Sequence, residues 1–211
     1  STNAGGIKVI RYGLTRDWVA GMRVVTGRGE LLDCNSGLVK NATGYDLRHL
    51  MIGAEGTLGL VCEVDVRLAA APEPQTVMVV GVPKVEELLD VLQAFSKQVT
   101  LTAFEFFSDL ALTKVQAHRD LPAPLTESVP FYALMEFDSS SLDAASQAFS
   151  DSMEAGWVVD GVISQSDAQA AALWALREGI SESIAPYTPY KNDLSVTIRQ
   201  VPEFLQDVDR Y

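Results

Sequence analysis

TVMVVGVPKVEELLDVLQAFSKQVTLTAFEFF, residues 76–107, is the stretch that decides the fold class. Thr76–Val82 is apolar and β-branched, which reads as a strand. Pro83 suits the first turn of a helix, where its missing N–H would have no partner anyway. Val85, Leu88, Leu89, Leu92 and Phe95 then recur at helical spacing, giving that helix one apolar stripe. Ala103–Phe107 returns to a strand, and Ser108 is placed to cap a helix over Asp109–Ala117.

The same alternation continues outward. Residues 120–130 hold three prolines and read as a loop. Phe131–Asp138 is a strand, and Ser139–Ser141 offer caps for a helix carrying Leu142, Ala145, Phe149 and Met153, stopped by Gly156. Trp157–Val162 is predicted as a strand and Asp167–Ile184 as one long helix ended by the turn APYTPY. Leu194–Ile198 is predicted as a strand, with a further helix opening at Pro202. Two strand–helix–strand stretches hint at a weak duplication. The expectation is α+β: a ferredoxin-like, mainly antiparallel sheet covered by helices on one face. A doubly wound parallel sheet is the alternative.

Upstream, AAAPEPQ at 69–75 is small, proline-bearing and aperiodic, which marks a linker between a domain over 1–70 and another over 71–211. Charge breaks at the same place. Residues 1–67 carry eight Lys and Arg against seven Asp and Glu, whereas residues 68–211 carry eight against 21. In the first segment, Ala20–Thr26 and Glu30–Cys34 read as a hairpin around TGRGE. Leu60–Leu68 alternates, with Leu60, Cys62, Val64, Val66 and Leu68 on one face, and reads as a half-buried strand in which Cys62 is buried.

Hydrophobic content of 47% and charged content of 21% are those of an ordinary globular chain. A net charge of −12 argues against nucleic acid and against anionic membrane surfaces as partners. There is no apolar run long enough to span a bilayer and no stretch of signal-peptide type at the start. Cys34 and Cys62 match no metal motif or disulfide framework, so reduced thiols and a cytoplasmic location are expected. His49 and His118 form no metal-ligand pair and read as structural or solvated.

Three clusters can carry chemistry. Ser1-Thr2-Asn3-Ala4-Gly5-Gly6, followed by Arg11-Tyr12-Gly13, allows close backbone approach to a ligand. Lys40–Asp46 and then Gly53-Ala54-Glu55-Gly56-Thr57-Leu58-Gly59 lead into a strand; neither fits a standard nucleotide fingerprint. In the acidic half, Arg177 and Ser181 share a helix face, and Lys191 returns after a proline-bearing turn. A guanidinium, a hydroxyl and an ammonium suit a carboxylate; the competing reading is a surface Arg paired with Glu178 or Glu182 and a solvated Lys. Trp174, one turn before Arg177, reads as core.

The order STNAGG, RYG, KNATGYDL and GAEGTLG, with LWALREGIS and YKNDLS downstream, resembles the FAD-linked oxidase family, in particular its D-2-hydroxyglutarate and D-lactate dehydrogenase branch. The resemblance implies that residues 1–70 are the C-terminal portion of a flavin-binding domain and 71–211 a truncated substrate domain. It implies FAD as cofactor, approached by Asn3, Ala4, Gly5, Gly6, Glu55, Gly56, Gly59 and Val61, with Lys40–Asp46 shaping the fold. It implies a small D-2-hydroxy acid of 2-hydroxyglutarate, lactate or glycolate type, held by Arg177 and Lys191 with Ser181 assisting and oxidised by hydride transfer to the flavin. The family's glycine-rich pyrophosphate loop and its histidine pair for a divalent metal are expected before Ser1 and after Tyr211, so no catalytic residue is assigned here. The isolated piece is expected to be inactive, to hold FAD weakly and to self-associate through exposed apolar surface. Thr197 stands where relatives often carry Pro. Two other readings are a flavin-dependent ether-lipid synthase relative and a non-catalytic α+β binding or assembly module.

Overall fold

The computed structural model describes residues 1–34, 38–208 and 210. Two compact units, Ser1–Ala71 and Pro72–Tyr211, each have their own core.

The first unit runs through helices Val9–Tyr12 (α1) and Thr15–Trp18 (α2), strands Val19–Val25 (β1) and Leu31–Cys34 (β2), helix Leu47–Met51 (α3) and strand Leu60–Val66 (β3). The strands form an antiparallel sheet in the order β2-β1-β3. The predicted hairpin forms: Thr26 N donates to Glu30 O and Gly29 N to Thr26 O, both at 2.9 Å. Asp46 caps α3 by accepting from Arg48 N, and the Arg48 guanidinium donates to Asp46 and to the carbonyls of Val19 and Ala20. That pairing holds the Asp46 carboxyl below the usual carboxylate range. The core is small: Val19, Met22, Val24, Cys34, Met51 and Ile52, with Leu32 and Val61 against it.

Strand β3 departs from the predicted alternation. Arg23 faces Glu63 while Val24 faces Val61, so Cys62 is an extra residue, a β-bulge. The bulge turns Val61, not Leu60, toward Val24 and the core. Cys62 is exposed, not buried; the buried thiol is Cys34, whose pKa burial pushes up. Leu60, Val66 and Leu68 stand 71%, 58% and 89% exposed, because nothing in this unit covers them.

The second unit alternates Gln75–Val82 (β4), Glu87–Gln98 (α4), Leu101–Ser108 (β5), Asp109–Arg119 (α5), Phe131–Asp138 (β6), Leu142–Glu154 (α6), Asp160–Ile163 (β7), Asp167–Glu178 (α7), Ile180–Ser183 (α8) and Val201–Val208 (α9). The strand order is β5-β6-β4-β7 and each pairing is antiparallel, the ferredoxin-like arrangement, which excludes the parallel alternative. The two strand–helix–strand stretches, β4-α4-β5 and β6-α6-β7, interleave their strands.

Helices cover both faces of this sheet, not one. Met78, Val80 and Val82 of β4 pack with Leu88, Val91 and Phe95 of α4 and Ala145 and Ala148 of α6. The alternate residues Val77 and Val79 pack with Leu112 of α5 and Leu173, Trp174 and Leu176 of α7. This double burial is why Thr76–Val82 reads as a continuous apolar run rather than an alternating one.

Four further elements differ from expectation. Helix α4 starts at Glu87, after a turn over 83–86, rather than at Pro83. Strand β7 starts only at Asp160, because Trp157 N and Val158 N still donate to Ser152 O as α6 ends. The long helix is interrupted at Gly179. A Cβ there would lie 2.8 Å from Ala175 O, 3.2 Å from Val115 and 3.3 Å from Arg119, so the glycine lets α5 cross closely. Leu194–Ile198 finds no strand partner among the described residues and leads into a 3-10 turn over Ile198–Gln200. Among the described residues no helix is long and apolar enough to cross a membrane.

Candidate functional site

In the first unit, the two glycine-bearing segments are tied together. Ser1 O accepts from Gly53 N at 2.8 Å and from Glu55 N at 3.2 Å. Asn3, in left-handed backbone conformation, accepts Arg16 N on its Oδ1 at 2.9 Å. Ala4 O accepts both Thr15 N and Thr15 Oγ1, and Gly5 lies against Leu14 and Val9. Gly59 is pressed against Val24 and the Val25 carbonyl, where a Cβ would stand 2.6 and 2.8 Å away. Asn3, Ala4, Gly5, Gly59 and Val61 therefore have internal tasks. Gly6 and Gly56 have open space where a side chain would be, and Glu55 is exposed.

Beside this junction, the Nε of Arg16 is buried with no hydrogen-bond partner, and its Nη2 lies 3.8 Å from the Cβ position of Gly53. A donor short of an acceptor beside the Gly53 turn, which runs on into the open backbone of Gly56, fits a flat, carbonyl- and phosphate-bearing group such as a flavin nucleotide. Asn41, Thr43, Gly44, Tyr45 and Asp46 line a separate cavity of about 160 Å³ with Cys34 and Arg48.

In the second unit, Arg177 does not pair with Glu178 or Glu182. Its Nε and Nη2 both lie 2.9 Å from Oε2 of Glu105 on β5. Lys191 folds back so that its Nζ donates to Ser181 O at 3.4 Å. So the structure brings Lys191 to the short helix that carries Ser181, four residues past Arg177. Ser181 and Lys191 are exposed and the Arg177 side chain is 35% exposed, so each can be reached from solvent; among the described residues no hydrogen bond or ion pair joins Arg177 to Ser181 or Lys191.

Helix α5 holds that segment in place. Glu182 pairs with Arg119 and lies 3.7 Å from His118, and Arg119, then His118, lower its pKa. Lys114 Nζ sits 3.9 Å from the Tyr187 ring centroid, anchoring the turn that precedes Lys191. Trp174 is core, as expected, and its indole N–H donates to the buried Glu136 at 2.8 Å. Sequence reading missed Glu105 and Glu136. The available signal was an acid inside each otherwise apolar run, AFEFF and ALMEF. His49 lies 3.6 Å from Asp46, and among the described residues no cluster of acids, His and Cys can hold a metal ion.

A family profile described as FAD linked oxidases, C-terminal domain, matches residues 71–211, and a second, FAD binding domain, matches residues 1–35. The chain is 57% identical to a D-2-hydroxyglutarate dehydrogenase of Stutzerimonas stutzeri, covering 99% of this chain and 46% of that protein. It is 58% identical to the protein of that name from Xanthomonas citri pv. viticola, covering 98% and 44%. It is 34% identical to the mitochondrial one of Danio rerio, covering 100% and 41%. The chain thus spans less than half the length of these curated relatives. Among solved structures, it is similar in fold to an alkyldihydroxyacetonephosphate synthase at TM-score 0.61 and 18% identity, covering 88% of this chain and 35% of that one. It is similar in fold to a 4-ethylphenol oxidase of Gulosibacter chungangensis at TM-score 0.54 and 14% identity, covering 82% and 41%.

Proposed function

Because this chain belongs to the FAD-linked oxidase family, we propose that it supplies part of the flavin site and the substrate clamp of a D-2-hydroxyacid dehydrogenase acting on D-2-hydroxyglutarate or a close analogue. In this reading residues 1–70 close the flavin-binding domain and 71–211 belong to the substrate domain. The Gly6 and Gly56 backbone, Glu55 and the Asn3–Gly5 turn would lie against FAD, with Gly59 and Val61 fixing the turn from behind. When bound, FAD supplies the hydride acceptor that no side chain can provide.

The second unit's part is orientation. Arg177 keeps its Nη1 side unengaged among the described residues, Lys191 adds an ammonium beside Ser181, and the two cations suit an acid with more than one carboxylate. The observation that carries the proposal is a half-buried Arg177 near the end of α7 and an exposed Lys191 whose ammonium returns to the Ser181 carbonyl, inside a unit where acids outnumber bases 21 to eight. Names of relatives at 57% and 58% identity favour the 2-hydroxyglutarate type over lactate or glycolate. A cytoplasmic location is proposed on the two free thiols alone.

The test is steady-state oxidation of D-2-hydroxyglutarate by the full-length, flavin-loaded protein. Arg177→Ala should raise KM about a hundredfold or more, the cost of losing a charge-assisted bidentate contact. An unchanged KM would show that the substrate carboxylate is held elsewhere.

A further inference from the structure

Resting on that reading of Arg177, we propose that Glu105 is a positioning residue that turns the guanidinium so its Nη1 side meets the substrate carboxylate. Glu105 lies on edge strand β5, on the face that also carries Ala103 and Phe107 beneath α7. A carboxylate on such a face is costly unless charge and hydrogen bonds satisfy it, and Arg177 does both. Nε donates to Glu105 Oε2 and Nη2 lies at ion-pair distance from the same oxygen, so this edge of the fork faces Glu105 and the Nη1 end is left for a ligand.

A second tie lies one turn earlier. Trp174 Nε1 donates to Glu136 Oε2 on β6. Residues 174 and 177 are neighbours on a helix surface, so two sheet acids hold the end of α7 at adjacent points and set its rotation.

The sign of the effect follows from two opposed terms. Removing Glu105 takes away one negative charge and leaves that of Arg177 uncompensated, which favours an anion, but at a partly exposed position that gain is screened. It also frees a long side chain beside Glu178, with rotamer entropy to be lost again on every binding event. Glu182 offers no competing partner, since Arg119 and His118 already hold it. Orientation is directional and unscreened, so its loss dominates.

In the full-length, flavin-loaded enzyme, Glu105→Ala should raise KM for D-2-hydroxyglutarate about tenfold, with kcat within about twofold. Glu105→Gln keeps one acceptor oxygen and the side-chain volume, so it should raise KM by less and guards against a folding defect. In an Arg177→Ala background, Glu105→Ala should leave KM where it was, because there is no guanidinium left to orient. A wild-type KM in Glu105→Ala, alongside a raised KM in Arg177→Ala, would overturn the positioning role and leave the clamp standing. So would an equal rise in both backgrounds, which marks a purely structural effect. A wild-type KM in Arg177→Ala would remove the clamp itself.

Discussion

In the second unit both faces of the sheet are roofed by helices, and the strands between them are apolar on both sides. In the first, a three-stranded sheet has one small core on one side, while Leu60, Val66 and Leu68 stand uncovered. The contrast separates a part whose apolar strand faces are covered from a part that leaves apolar strand surface bare. Chemistry divides along the same line: the first unit offers open backbone and an unsatisfied arginine, the second offers fixed charged side chains.

The comparison is most sharply tested in the cores. Phe95→Ala empties a fully buried site packed between α4 and the sheet, and should cost about 3–5 kcal/mol in denaturant unfolding of the chain. Met22→Ala in the first unit should cost about 2 kcal/mol, since so thin a core can collapse around the gap. Equal losses would erase the distinction drawn between the units.

Trp174→Phe keeps the ring in the core but removes the indole donor to Glu136. It should destabilise the second unit by about 1–3 kcal/mol, read from the same unfolding curves.

Leu60→Lys with Leu68→Lys should change stability by less than about 0.5 kcal/mol, as both are surface positions. It should lower the self-association of this chain measured by light scattering. An unchanged apparent mass would show that these residues are not the sticky surface.

The smallest effect is electrostatic. Arg119 lowers the pKa of Glu182, so the tie between α5 and α8 contributes above the ordinary Glu pKa and is lost as pH falls through the depressed folded value. Amide exchange around Ser181 should therefore quicken in acid, and Arg119→Gln should weaken that pH dependence, leaving the smaller contribution of His118. Since the pair is exposed, global stability should barely respond.

Much of the fold was legible because periodicity reports burial directly. Thr76–Val82, Phe131–Asp138 and the hairpin around TGRGE form as the pattern predicts. Three failures have local causes. Alternation in β3 is broken by the bulge at Cys62, which no composition signal marks. Leu194–Ile198 has strand-like residues but no ladder to join among the described residues. Helices roof both faces because β4 carries an apolar residue at nearly every position, a cue present in the sequence and read too narrowly. At the proposed clamp, residue type in the sequence singles out Arg177, Ser181 and Lys191 but not Glu105. Its partner lies 72 residues away, and only the packing of α7 on β5 brings them together.

The most direct measurement is a crystal structure of the full-length, FAD-loaded enzyme with D-2-hydroxyglutarate. The account predicts a substrate carboxylate oxygen within about 3.2 Å of Arg177 Nη1, a second contact from Lys191 Nζ, and Glu105 still on the Nε–Nη2 edge. A substrate carboxylate held by other residues, with Arg177 pointing into solvent, would contradict it.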